Sequence, residues 1–98
     1  MAKKFLHLGV SFKSGGATPE RLNEVEGVLN KATDWLRYAR GCWLIYTGKE
    51  PNVWHNRLKN QVSWIKDQSY LICEVDLENR AGWLPETAWD WIKKDRTQ

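Results

Sequence analysis

Two hydrophobic periods alternate along this chain, and the order in which they do so leaves few folds open. Residues 3–12 repeat with a period of two, placing Leu6, Leu8, Val10 and Phe12 on one side and Phe5, His7, Gly9 and Ser11 on the other. That pattern predicts a strand with one wholly apolar face. Thr18-Pro19-Glu20 then offers a capping side chain, a proline at the first helical position and an acid in the first turn. Leu22, Val25, Val28, Leu29 and Ala32 follow at spacings of three and four, the stripe of a helix lying on a sheet.

Residues 35–39 and 42–47 are of strand type and meet at Arg40-Gly41, where glycine supplies the positive φ of a tight hairpin. Pro51 opens a second helix whose stripe is Trp54, Leu58, Val62 and Ile65. Residues 70–77 then alternate again, with Leu71, Cys73, Val75 and Leu77 on one side and Tyr70, Ile72, Glu74 and Asp76 on the other. A polar stretch, residues 78–82, leads to a short helix beginning near Pro85, with Leu84, Ala88, Trp91 and Ile92 along one face.

The order βαββαβ predicts an α/β domain, an α+β sandwich of ferredoxin-like type. It has a four-stranded antiparallel sheet, two helices on one face and a C-terminal helical appendage. Ninety-eight residues suffice for one core, so residues 3–77 are read as the core motif and 78–98 as the appendage of a single domain.

No apolar run approaches the roughly 20 residues that span a bilayer, and no charged segment precedes an apolar one at the N-terminus. The expectation is a cytoplasmic protein beginning near Met1, with no membrane partner. Cys42 and Cys73 sit among strand residues with no metal-ligand spacing, which predicts two reduced thiols and no metal or other cofactor. Fifteen Lys and Arg against twelve Asp and Glu leave a net charge of +3, a mild excess that decides nothing alone.

Right-handed crossovers put both helices on one side of the sheet, so the other side should be polar if it meets water. Instead Phe5, Tyr70, Ile72 and either Trp43 with Ile45 or Leu44 with Tyr46 are assigned to it. Three covers are open: the C-terminal segment with Trp83, Trp89 and Trp91, the sheet of a second chain, or stacked bases. Self-association through the sheet is the expectation, with Phe5, Tyr70, Ile72, Trp83, Trp89 and Trp91 as interface residues.

Arg37, Arg40, Lys49, Arg57 and Lys59, interleaved with Trp35, Tyr38 and Trp54, form a candidate nucleic-acid site, cations for phosphates and rings for bases. Glu74 and Asp76, followed by Glu78, are weak candidates for holding Mg²⁺ in a catalytic role. His7 and His55 have no nucleophile beside them in sequence. Lys13-Ser14-Gly15-Gly16 precedes a helix but lacks the spacing of a phosphate-binding loop.

The stretch from Trp35 to Lys94 also resembles a family. Trp35-Leu36-Arg37-Tyr38, Cys42-Trp43-Leu44-Ile45-Tyr46-Thr47, Asp67 before Leu71-Ile72-Cys73-Glu74-Val75, Ala81-Gly82-Trp83-Leu84 and Trp91-Ile92-Lys93 are similar to small proteins labelled SinR family. These resemble in turn the small ferredoxin-like subunit of CRISPR spacer integration and VapD-type toxins. The resemblance implies a homodimer, RNA or DNA as partner and, in some relatives, metal-dependent cleavage by an aspartate ending the first strand. Ser11 stands where that acid is expected, and a hydroxyl cannot replace a carboxylate toward a divalent ion.

The sequence therefore leads to a non-catalytic, dimeric, nucleic-acid-associated protein. The first alternative is a regulator or inhibitor from a phage or mobile element that binds a host protein. The second is a metal-dependent nuclease.

Overall fold

The computed structural model describes residues 2–13 and 15–96. Met1, Ser14 of the glycine-containing loop, and Thr97 and Gln98 of the appendage lie outside the described residues. The elements follow the expected order: β1 (Lys4–Ser11), α1 (Pro19–Leu29), β2 (Asp34–Ala39), β3 (Cys42–Thr47), α2 (Pro51–Gln61), a 3₁₀ turn (Ile65–Asp67), β4 (Ser69–Val75) and α3 (Glu86–Lys93). The sheet order is β2-β3-β1-β4 with every neighbouring pair antiparallel. The first and last strands of the βαββαβ unit are thus neighbours.

Local chemistry sets the boundaries. Thr18 Oγ1 accepts the Arg21 N–H at 3.2 Å, satisfying one of the donors that a helix start leaves free. Gly41 adopts φ 90° in the β2–β3 turn, and its carbonyl accepts the Val10 N–H at 2.7 Å. A Cβ at position 41 would lie 2.7 Å from the Val10 carbonyl oxygen, so both the dihedral and the space exclude a side chain. β4 ends at Val75, two residues earlier than the alternation suggests, because Asp76 Oδ1 accepts the Glu78 N–H at 2.9 Å and turns the chain.

The register decides which face each stripe occupies. Leu8 pairs with Trp43 on one side and Ile72 on the other, while Val10 pairs with Tyr70. Residues directly opposite in a ladder share a face. Tyr70 and Ile72 therefore pack on the helix-covered side with the core of Leu6, Leu8, Val25, Leu29, Trp43, Ile45, Trp54 and Leu58. This corrects their expected place on the open side. Both stripes of β4 are apolar, so alternation alone does not choose between them, and the open face receives Leu71, Cys73 and Val75 instead. The β3 contribution to that face is Leu44 with Tyr46, since Trp43 and Ile45 are core residues.

The cover of the open face is the chain's own C-terminal segment. The Trp91 ring meets Phe5 edge-on with centroids 5.8 Å apart, and Phe5 lies 5.0 Å from Tyr46. The Arg96 guanidinium stands 4.3 Å from the Trp91 ring centroid, 5.1 Å from Tyr46 and 5.3 Å from Phe5. Its Nη2 lies 3.6 Å from Asp34 Oδ2, which Lys94 Nζ also approaches at 3.7 Å. Phe5, Trp89 and Trp91 thus pack in cis.

Two tryptophans anchor the core differently. Trp43 and Trp54 are both fully buried, but Trp43 Nε1 donates to Glu26 Oε2 at 3.0 Å whereas Trp54 Nε1 has no acceptor. A hydrogen bond to a charged acceptor contributes about 1.5–3 kcal/mol, and an unmet donor contributes nothing to lose. Trp43→Phe is expected to destabilise the chain more than Trp54→Phe by about 1–2 kcal/mol, read from paired urea-unfolding curves. Equal losses would remove the indole–carboxylate bond from the account.

Candidate functional site

Of the cations and rings expected around the hairpin, Arg37, Tyr38 and Arg40 line one hollow of about 410 Å³ beside α1, and the others lie elsewhere. Arg40 precedes β3 and Lys49 follows it, so the sheet holds them apart by roughly 20 Å at ~3.3 Å per strand residue. Arg37 Nη1 is paired with Glu26 Oε2 at 3.2 Å, the same carboxylate that receives the Trp43 indole. Arg57 stacks over Trp54 with its Cζ 4.7 Å from the ring centroid. Lys59 lines a separate cleft between α2 and the outer edge of β4.

The three rings are turned to other tasks. Trp54 has no exposed surface and cannot stack on a base. Trp35 packs against the core and its Nε1 donates to Asn30 Oδ1 at 2.9 Å. Tyr38 shares a 2.6 Å hydrogen bond with His7 Nε2 beneath the C-terminal segment. Their spacing in sequence resembled a stacking platform because buried and exposed aromatics are compositionally alike.

The acidic candidates are also separate. Glu74 lies on the helix-covered side, 3.8 Å from Lys4 Nζ, which is bonded more closely to Glu50. That bond raises the Lys4 pKa above its ordinary value, with the charges of Glu50 and Glu74 adding to the effect against desolvation. Asp76 is occupied by the backbone turn described above. Ser11 ends β1 opposite Ser69. No group of three or more His, Cys, Asp or Glu gathers at metal-binding distance among the described residues.

The loop before α1 is committed to the fold. Lys13 donates its N–H to Gln68 Oε1, and Arg21 Nη1 donates to the Gly16 carbonyl at 3.2 Å. The Arg21 guanidinium would lie 3.0 Å from a Cβ on Gly15.

A cationic cleft that sequence spacing did not reveal lies at the C-terminal end of the fold. Its cations are Lys3, Arg80, Lys93, Lys94 and Arg96, against the carboxylates Glu78 and Asp95, around a volume of about 620 Å³ with Phe5 and Tyr46 at its base. Three chain regions supply these residues: the start of β1, the connection across residues 76–85, and the end of α3. Tertiary packing, not proximity in sequence, collects them. The one local trace is the run Lys93-Lys94-Asp95-Arg96.

Arg96 is the deepest of the five, its side chain 9% exposed. Nη1 donates to the Lys94 carbonyl at 3.3 Å, Nη2 is ion-paired with Asp34 without a hydrogen bond, and Nε is buried with no hydrogen-bond acceptor. A buried donor without an acceptor carries a desolvation cost that an incoming anion relieves. Trp83, three residues along the chain from Arg80, is 99% exposed and is the one tryptophan left bare.

Comparisons with models of known families, with curated proteins and with solved structures return no match. None of the three links the chain to SinR-labelled proteins, to CRISPR integration subunits or to VapD-type toxins. Among the described residues no helix is long and apolar enough to cross a membrane.

His7 and Tyr38 lie behind the cleft on the covered sheet face. Burial pushes the His7 imidazole below its ordinary pKa and the Tyr38 phenol above its own, the latter with a further contribution from Cys42. Between the lowered folded value and the unfolded value of 6.5, the folded chain binds fewer protons than the unfolded one. Stability from this group is therefore complete above the unfolded pKa and lost as pH falls through the folded one. Urea unfolding from about pH 7 to about pH 5 should show this acid limb, and His7→Gln should flatten it. A limb unchanged by the substitution would assign it to other groups.

Proposed function

We propose that this protein is a non-catalytic nucleic-acid-binding module that holds single-stranded RNA or DNA at the C-terminal cleft. The observation that carries this reading is the gathering of five cations against two carboxylates in one cleft, in a chain whose overall ratio is nearly balanced. Lys3, Arg80, Lys93 and Lys94 supply charge for the phosphate backbone, and the buried Arg96 Nε, which has no acceptor, suits an anionic oxygen.

The bare Trp83 suits a base. Stacking on an aromatic face contributes about 1–3 kcal/mol per base and is indifferent to sequence, because every base presents a π-face. A duplex offers no unstacked base to such a ring, which favours a single strand. The same exposure also supports the reading of Trp83 as an anchor for a host protein. Binding assays separate the two, since only the nucleic-acid reading requires the cleft cations.

Fluorescence anisotropy of a labelled oligothymidine and an oligouridine across a salt series tests the proposal. Contact with three to five phosphates gives a slope of about −2 to −3.5 for log K against log salt, at ~0.7 per phosphate. Lys93→Glu with Lys94→Glu is expected to weaken binding about ten-fold or more and to flatten the slope. Trp83→Ala should weaken it at every salt concentration, by about 1–3 kcal/mol. Affinity equal to that of an unrelated protein of the same charge, or indifferent to these substitutions, would overturn the reading.

A further inference from the structure

Neither edge strand of the sheet contains lysine or proline, and the two differ in charge and in cover. β2 carries Asp34 and Arg37, and its Asp34 end is held by Lys94 and Arg96. β4 is bonded only to β1, and its seven residues, Ser69-Tyr70-Leu71-Ile72-Cys73-Glu74-Val75, include no lysine and no proline. Those are the residues that usually protect a free edge from pairing. Leu71 on this edge is 65% exposed.

A cleft of about 630 Å³ wraps the β4 edge, since Leu71 and Ile72, which lie on opposite faces of the sheet, both line it. Its cations are Lys59 of α2 and Lys66 of the 3₁₀ turn, beside the Ser69–Tyr70 end of the strand. The opposite end carries Glu74, with Asp76 just beyond it. The edge is thus positive at one end, apolar in the middle and negative at the other.

We propose that this edge pairs with β4 of a second copy of the chain, antiparallel and across a two-fold axis near Ile72. That pairing sets Tyr70 opposite the partner's Glu74 and brings the acidic end of each strand to Lys59 and Lys66 of the other chain. Leu71 then lies opposite the partner's Cys73 on one face, and the two Ile72 side chains meet on the other. A parallel pairing would place Glu74 beside the partner's Glu74, so charge selects the antiparallel one. The product is a continuous eight-stranded sheet with a self-complementary interface. It leaves the C-terminal cleft untouched and does not depend on the nucleic-acid reading.

Sedimentation equilibrium of the full chain over a concentration series reads the proposal directly. Wild-type protein should dimerise, and Leu71→Lys, a charge at an already exposed position, should yield a monomer with an unchanged circular-dichroism spectrum. Lys59→Glu with Lys66→Glu should raise the dimer dissociation constant about ten-fold or more, and adding Glu74→Lys should restore it. Because Lys59 and Lys66 are exposed, this second set remains decisive if Leu71→Lys does not fold. A wild-type monomer at every concentration overturns the proposal, as does a dimer that ignores the charge reversals or is not rescued by the triple exchange.

Discussion

The guanidinium of Arg96 sits among the rings of Phe5, Tyr46 and Trp91, and the character of the whole molecule follows from that contact. A four-stranded sheet with both helices on one side leaves Phe5, Leu44, Tyr46 and Val75 on the other, a face that water does not favour. Arginine is suited to closing it because its planar, weakly hydrated cation stacks on aromatic faces at a modest desolvation cost. The salt link to Asp34 ties the same side chain to the far edge of the sheet. Once α3 is docked in this way, its terminal lysines are carried to Lys3 and Arg80, and the cationic cleft exists.

The side chains with reactive chemistry are spread over different parts of the fold: His7 is bonded to Tyr38, His55 to Tyr70, Glu74 faces Lys4, and Asp76 closes a turn. What is concentrated is charge, since Lys3, Arg80, Lys93, Lys94 and Arg96 line one cleft. On the proposed reading that charge holds an anion.

Much of the fold was legible because its signals are local. The stripes Leu22-Val25-Val28-Leu29 and Trp54-Leu58-Val62-Ile65 are buried as their spacing requires, and Gly41 makes the hairpin turn that its position announced. The face of β4 was not legible, because Tyr70-Ile72 and Leu71-Cys73-Val75 are both apolar and only pairing with β1 distinguishes them. The site was the least legible part. Arg37 and Arg40 share a hollow beside α1, but Lys49, Arg57 and Lys59, close to them in sequence, lie elsewhere, whereas Lys3 and Arg96 line one cleft only because α3 packs back on the sheet. Short-range pattern carries no information about that closure.

NMR of the full chain, at a concentration where it is monomeric, tests whether residues 86–96 pack in cis on the open sheet face. The account requires nuclear Overhauser contacts between the Trp91 indole and the Phe5 ring, with the Arg96 side-chain protons shifted upfield by the rings that enclose them. Random-coil shifts for Arg96 and no contact between Trp91 and Phe5 would contradict it, and with it the origin of the cleft.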